Sequence, residues 1–131
     1  MGEGDRPATR DGRSLWSLER DLSYRTLAEE TITVPAGFVT DLASVPRAFW
    51  DLFPPDGPWT EAAVIHDCLY FTQGGAQAWN GRRCISRRGA YSRAESDGVL
   101  REAMAEIGVA PLPRALIWAA VRIGGGRAFG T

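Results

Sequence analysis

Apolar residues are sparse and unpatterned over residues 1–13 (MGEGDRPATRDGR), then begin to recur with a short period. Leu15, Trp16 and Leu18 form an apolar run, and Leu22 and Tyr24 follow with polar neighbours around them. Alternation with a period of two marks a strand with one buried face. The TITV stretch, Thr31–Val34, is made of β-formers and stopped by Pro35 and Gly37, after which Phe38, Val39 and Thr40 can extend the sheet. The pattern predicts two to four short antiparallel strands between residues 14 and 40, preceded by a flexible polar arm over residues 1–13.

Beyond residue 45 the rhythm becomes helical. Residues 46–53 (PRAFWDLF) read as a short helix ended by Pro54 and Pro55. PPDGPWT is a compact turn, with Pro58 suited to a first helical position. A helix of about four turns then carries AAVIHDCLYF and ends near Gly74 and Gly75. Residues 74–91 (GGAQAWNGRRCISRRGAY) mix glycine and arginine without periodicity and read as a long exposed loop. Ser92 and Glu95 supply the S-x-x-E capping box of the next helix, which runs to Ile107 before Gly108 stops it. Pro111 and Pro113 open a last helix, RALIWAAVRI, closed by Gly124, Gly125 and Gly126. The predicted fold class is therefore α+β: a small N-terminal antiparallel sheet followed by three main helices, in a single domain over residues 14–131.

Composition narrows the function classes. A net charge of −1 gives no basic field to hold nucleic acid or an anionic membrane. All 15 basic residues are arginine, which excludes a lysine nucleophile or Schiff base. The N-terminus lacks the apolar core of a secretory signal, and no run approaches the length of a transmembrane span. The two cysteines, Cys68 and Cys84, are too few for a disulfide scaffold and lack zinc-site spacing. These features predict a protein made in the cytoplasm with reduced thiols.

The chain has one histidine, His66, followed at once by Asp67. On a helix His66 shares a face with Ala62, Ala63, Leu69 and Tyr70. Two readings stay open: a neutral core histidine bonded to backbone or tyrosine, and a general base. A base needs an orienting partner on its far nitrogen. Asp67 cannot serve, because consecutive helical residues point about 100° apart. Asp97 can, because it edges the stripe of Val99, Leu100, Ala103, Met104 and Ile107 on the capped helix; antiparallel packing would bring it to His66. Its bland alternative is an ion pair with Arg101 at i+4. Asp67 is then left to hold a cation. Residues 34–47 (VPAGFVTDLASVPR) place Thr40, Asp41, Ser44 and Arg47 at a strand end, where binding groups are often displayed, although Asp41 and Ser44 also suit turn and helix caps. Trp50, Trp59 and Trp118 read as core or interface aromatics, and Arg82, Arg83, Arg87 and Arg88 as a solvated loop or a phosphate contact.

Two resemblances follow from these motifs. VPAGFVTDLASVPR, PPDGPW, AAVIHDCLY and SRAESDGVLREAM, in that order across residues 14–123, resemble a family of small proteins of unknown function encoded by tailed phages and prophages. This implies a phage origin, with the host cytoplasm or the virion as its location. Locally, PPDGPWTEAAVIHDCLY and RAESDGVL are similar to the catalytic helix pair of bacterial-type phospholipases A2. That resemblance implies His66 as general base, Asp67 as calcium ligand, Asp97 as orienter and Tyr70 as the aromatic closing the site. The chain departs from that family in three ways. Leu69 stands where the usual helix cysteine lies, two cysteines cannot form the supporting disulfides, and the glycine-rich calcium loop is missing, so Asp41 or carbonyls around residues 55–57 would have to substitute. The expectations are a His–Asp hydrolase of an ester, lipid or cell-envelope substrate, possible calcium dependence, or else a non-catalytic tail or assembly component bound to other virion subunits.

Overall fold

The computed structural model describes residues 5–10, 13–40, 59–79, 81–124 and 126–129. Five strands come first: β1 (Asp5–Arg10), β2 (Arg13–Leu18), β3 (Leu22–Arg25), β4 (Thr31–Val34) and β5 (Val39–Thr40). They make two antiparallel sheets, one ordered β1-β2-β5 and the other β3-β4. Among the described residues four helices follow: α1 (Trp59–Phe71), α2 (Arg93–Glu106), α3 (Pro111–Gly124) and the single turn α4 (Gly126–Phe129). This is the predicted α+β order. The short helix and compact turn expected over residues 46–58 lie outside the described residues.

Two expectations need correction. The polar segment expected as a flexible arm is, over Asp5–Arg10, a strand whose six residues pair with Arg13–Leu18. Hydropathy reports which faces are buried; a ladder is made by backbone groups alone and needs no apolar side chain. The stretch 74–91 is also not a fully exposed loop. Its Cys84 and Ile85 are buried and run beside β4: Thr33 N–H donates to the Cys84 carbonyl at 2.7 Å and Ser86 N–H to the Thr31 carbonyl at 2.9 Å. This segment satisfies an edge of β4 that would otherwise stay unpaired. It also crosses so close to the end of α1 that no side chain fits at Gly74, where an added Cβ would lie 1.7 Å from the Tyr91 carbonyl oxygen and φ is +75°.

α2 begins as its sequence dictates. The Ser92 hydroxyl accepts from Glu95 N–H at 3.0 Å, and the Glu95 carboxylate accepts from Ser92 N–H at 2.9 Å. α1 and α2 run antiparallel. Arg93 and Asp97 at the start of α2 meet Tyr70 near the end of α1, while Ala103 and Ile107 share a small cavity with Ala62 and Ile65 near its beginning. Between them lies the core of Val64, Leu69, Leu100 and Met104, closed by Ile32 and Val34 of β4 and by Ile117 and Val121 of α3. Each such buried side chain contributes about 1.5–3 kcal/mol. Among the described residues no helix is long and apolar enough to cross a membrane.

Candidate functional site

At the centre of the helix layer is a polar cluster enclosed by apolar residues. His66 and Asp97 are both fully buried, at 0% exposure. His66 Nε2 lies 2.8 Å from Asp97 Oδ1. The Tyr70 hydroxyl, one helical turn after His66, donates to the same oxygen. Arg122, from the last turn of α3, places NH1 2.9 Å from Asp97 Oδ2. Three donors from two helices thus converge on a carboxylate of a third. Burial alone would raise the Asp97 carboxyl, but the hydrogen bonds from His66, Tyr70 and Arg122 outweigh it and hold it below the ordinary carboxylate value. Asp97 is therefore ionised at neutral pH. An ionised carboxylate only accepts, so the His66 nitrogen facing it carries the proton.

The surroundings fix this geometry. The His66 and Tyr70 rings lie 4.3 Å apart between centroids, and Phe129 of α4 stands edge-on to Tyr70 at 5.2 Å. Burial, and then the hydrogen bond to Asp97, push the Tyr70 hydroxyl above the usual phenol range, so it stays a donor. Arg93, the first residue of α2, approaches the Tyr70 oxygen with Nε at 3.4 Å and donates through NH2 to the carbonyls of Val121 and Arg122. It thereby caps the C-terminal end of α3, where the helix dipole favours a cation.

The predicted residues divide into three groups. His66, Asp97 and Tyr70 come together in the buried cluster. The i+4 pairing of Asp97 with Arg101 does not form, since Arg101 lies over the Trp118 ring instead. Thr40, at the end of β5, donates its hydroxyl to Asp67 Oδ2 and so joins the strand end to α1 beside the cluster. Asp41, Ser44 and Arg47 lie outside the described residues. Sequence reasoning missed Arg122 and Arg93. Arg122 carried no signal, being one arginine in an amphipathic helix. Arg93 carried a faint one, because a cation in the first helical turn opposes the dipole and needs a reason to be there.

Calcium takes six to eight oxygen ligands. The described residues around Asp67 offer one carboxylate, one of whose oxygens already accepts from Thr40, and among the described residues no three His, Cys, Asp or Glu converge on a metal position. The described residues thus do not by themselves fit a calcium ion. What the cluster can do chemically is hold an imidazole in one tautomer and one orientation.

Comparison with known proteins places the chain in a family. The chain belongs to the family described as Protein of unknown function (DUF1353), whose model matches residues 16–121. It is similar to the uncharacterized protein y4jT of Sinorhizobium fredii (strain NBRC 101917 / NGR234), with 37% identity over 65 residues, or 48% of this chain. The match spans 19% of that relative's length. No solved structure matches the chain.

Proposed function

We propose that this member of the DUF1353 family is a small hydrolase in which His66 is the general base and Asp97 the residue that positions it. The observation that carries this reading is the 2.8 Å bond from His66 Nε2 to an Asp97 carboxylate itself held by Tyr70 and Arg122. A general base is held through one ring nitrogen and takes the proton on the other. His66 Nδ1 takes a proton as the water oxygen bonds to an ester carbonyl carbon. The resulting imidazolium keeps its Nε2–H on Asp97. As the tetrahedral intermediate collapses, the bond to the alcohol oxygen breaks and His66 returns the proton to that leaving oxygen. A lipid or cell-envelope ester as substrate, and a phage or prophage origin, rest on the motif resemblances around His66 and over residues 34–47. No step is assigned to calcium.

One observation favours a second reading. The complete burial of His66 and Asp97 also suits a polar knot that locks α1, α2 and α3 in a non-catalytic tail or assembly component. A single histidine makes the two separable. In the hydrolase, diethylpyrocarbonate modifies His66 in the folded protein and activity on ester-containing liposomes falls in parallel; His66→Asn loses about 10²–10⁴-fold. Liposome and soluble-ester assays with calcium and with chelator complete the test. Wild-type protein inactive in all of them, or His66→Asn as active as wild type, overturns the hydrolase. A histidine that reacts only after unfolding supports the knot.

A further inference from the structure

Away from the His66 cluster, the fold brings together the chain's two cysteines, which the proposed reaction does not use. Cys68 is on the face of α1 that enters the core, and Cys84 is on the segment that runs beside β4; both are free thiols, exposed by 0% and 1%. Sixteen positions apart in sequence, they come together in one core cluster on either side of Thr72. Thr72 links their surroundings, donating to the Cys68 carbonyl at 2.8 Å and placing its hydroxyl oxygen 3.5 Å from Cys84 Sγ. Gly75 keeps the segment close: a Cβ there would meet Ile85 at 2.7 Å. Two thiols flanking one threonine side chain close to the roughly 2.05 Å of a disulfide when rotation about the side-chain bonds brings the sulfurs together.

We infer that Cys68 and Cys84 form a modification site, a buried dithiol that hydrogen peroxide converts to an intramolecular disulfide stapling α1 to the segment beside β4. The inference is independent of the hydrolase reading. Cys84 is the attacking sulfur, because it directly follows the exposed Arg83, whose guanidinium charge favours a thiolate there, whereas Cys68 is enclosed in the core. The Cys84 thiolate attacks one oxygen of the peroxide, the O–O bond breaks, and hydroxide leaves as Cys84 becomes a sulfenic acid. The Cys68 sulfur then bonds to the Cys84 sulfur and displaces the sulfenic hydroxyl, which departs with the Cys68 proton as water. Two thiols are oxidised and one peroxide is reduced to two waters. Cys84 lies next to exposed Arg83 and Ser86, so a water-sized oxidant needs only a local excursion of this segment.

The test treats the folded, reduced full-length protein with hydrogen peroxide, quenches it with an alkylating agent in denaturant, and maps the peptides by mass. The expected product has lost the mass of two hydrogens, contains a reducible cross-link between the Cys68 and Cys84 peptides, and melts about 5–10 °C higher than the reduced form. Cys68→Ser stops at a Cys84 sulfenic acid that dimedone traps; if that variant does not fold, the wild-type peptide map decides alone. Both thiols still alkylatable after peroxide, oxygen addition without a cross-link, cross-linking only between molecules, or a cross-link that fails to raise the melting temperature would each overturn the inference.

Discussion

Two arginine–aspartate pairs in this molecule are nearly identical in length and opposite in setting. Arg122 meets Asp97 at 2.9 Å and Arg82 meets Asp21 at 3.0 Å. Judged on the contact alone, the second is the better pair, because the two terminal guanidinium nitrogens of Arg82 each donate to one Asp21 oxygen. Yet Asp21 sits in solvent, and when it leaves, water replaces it. Asp97 is sealed among three helices and is the common acceptor for His66, Tyr70 and Arg122. The energy of an ion pair thus depends less on its length than on how many buried groups are stranded by its loss.

The largest effect that follows is on Asp97. Asp97→Ala leaves a buried imidazole N–H, a buried phenol and a half-buried guanidinium without their acceptor, and should cost about 3–5 kcal/mol in urea denaturation. A loss below about 1 kcal/mol would erase the contrast with Asp21. Tyr70→Phe comes next. It keeps the ring against Phe129 and His66 but removes one donor from Asp97 and the oxygen near Arg93, at a cost of about 1–2 kcal/mol. A neutral result would mean that His66 and Arg122 alone satisfy the carboxylate.

How much of this was legible beforehand depends on the range of the interactions. The capping box of Ser92 and Glu95 is local and could be read directly. The meeting of His66 with Asp97 required one further assumption, antiparallel packing of two helices joined by a long connection, and helical periodicity put both residues on inward faces. Arg122 could not be read, because its role depends on the crossing of α3 over α2. The pairing of Asp5–Arg10 and the burial of Cys84 and Ile85 were missed for a related reason. Both arise where backbone groups pair with a distant strand, and side-chain polarity carries no record of that. Thr40 reads as part of a strand-end display, but its specific partner, Asp67, is set by tertiary contact.

Acid titration sharpens the comparison at its weakest end. Both aspartates have folded-state values below their ordinary ones: Asp21 through its bond from Arg82 and then Ala36 N–H, Asp97 despite burial. A depressed carboxylate contributes stability that is fully present above its unfolded value, near 3.8, and is lost as the pH falls through the folded value. The two pairs therefore act with the same sign in the same window, and the wild-type curve cannot separate them. Variants can. Asp97→Asn should flatten the acid limb of stability against pH, whereas Arg82→Ala, which removes an exposed pair, should change the limb and the neutral-pH midpoint only slightly. Raising the salt tests the same point independently: screening acts on the exposed Asp21 pair, so Arg82→Ala and wild type should converge further, while the deficit of the Asp97 variant persists. An Arg82 variant that unfolds as readily as the Asp97 variant would show that the loop beside β4, rather than the buried cluster, anchors the helices to the sheets.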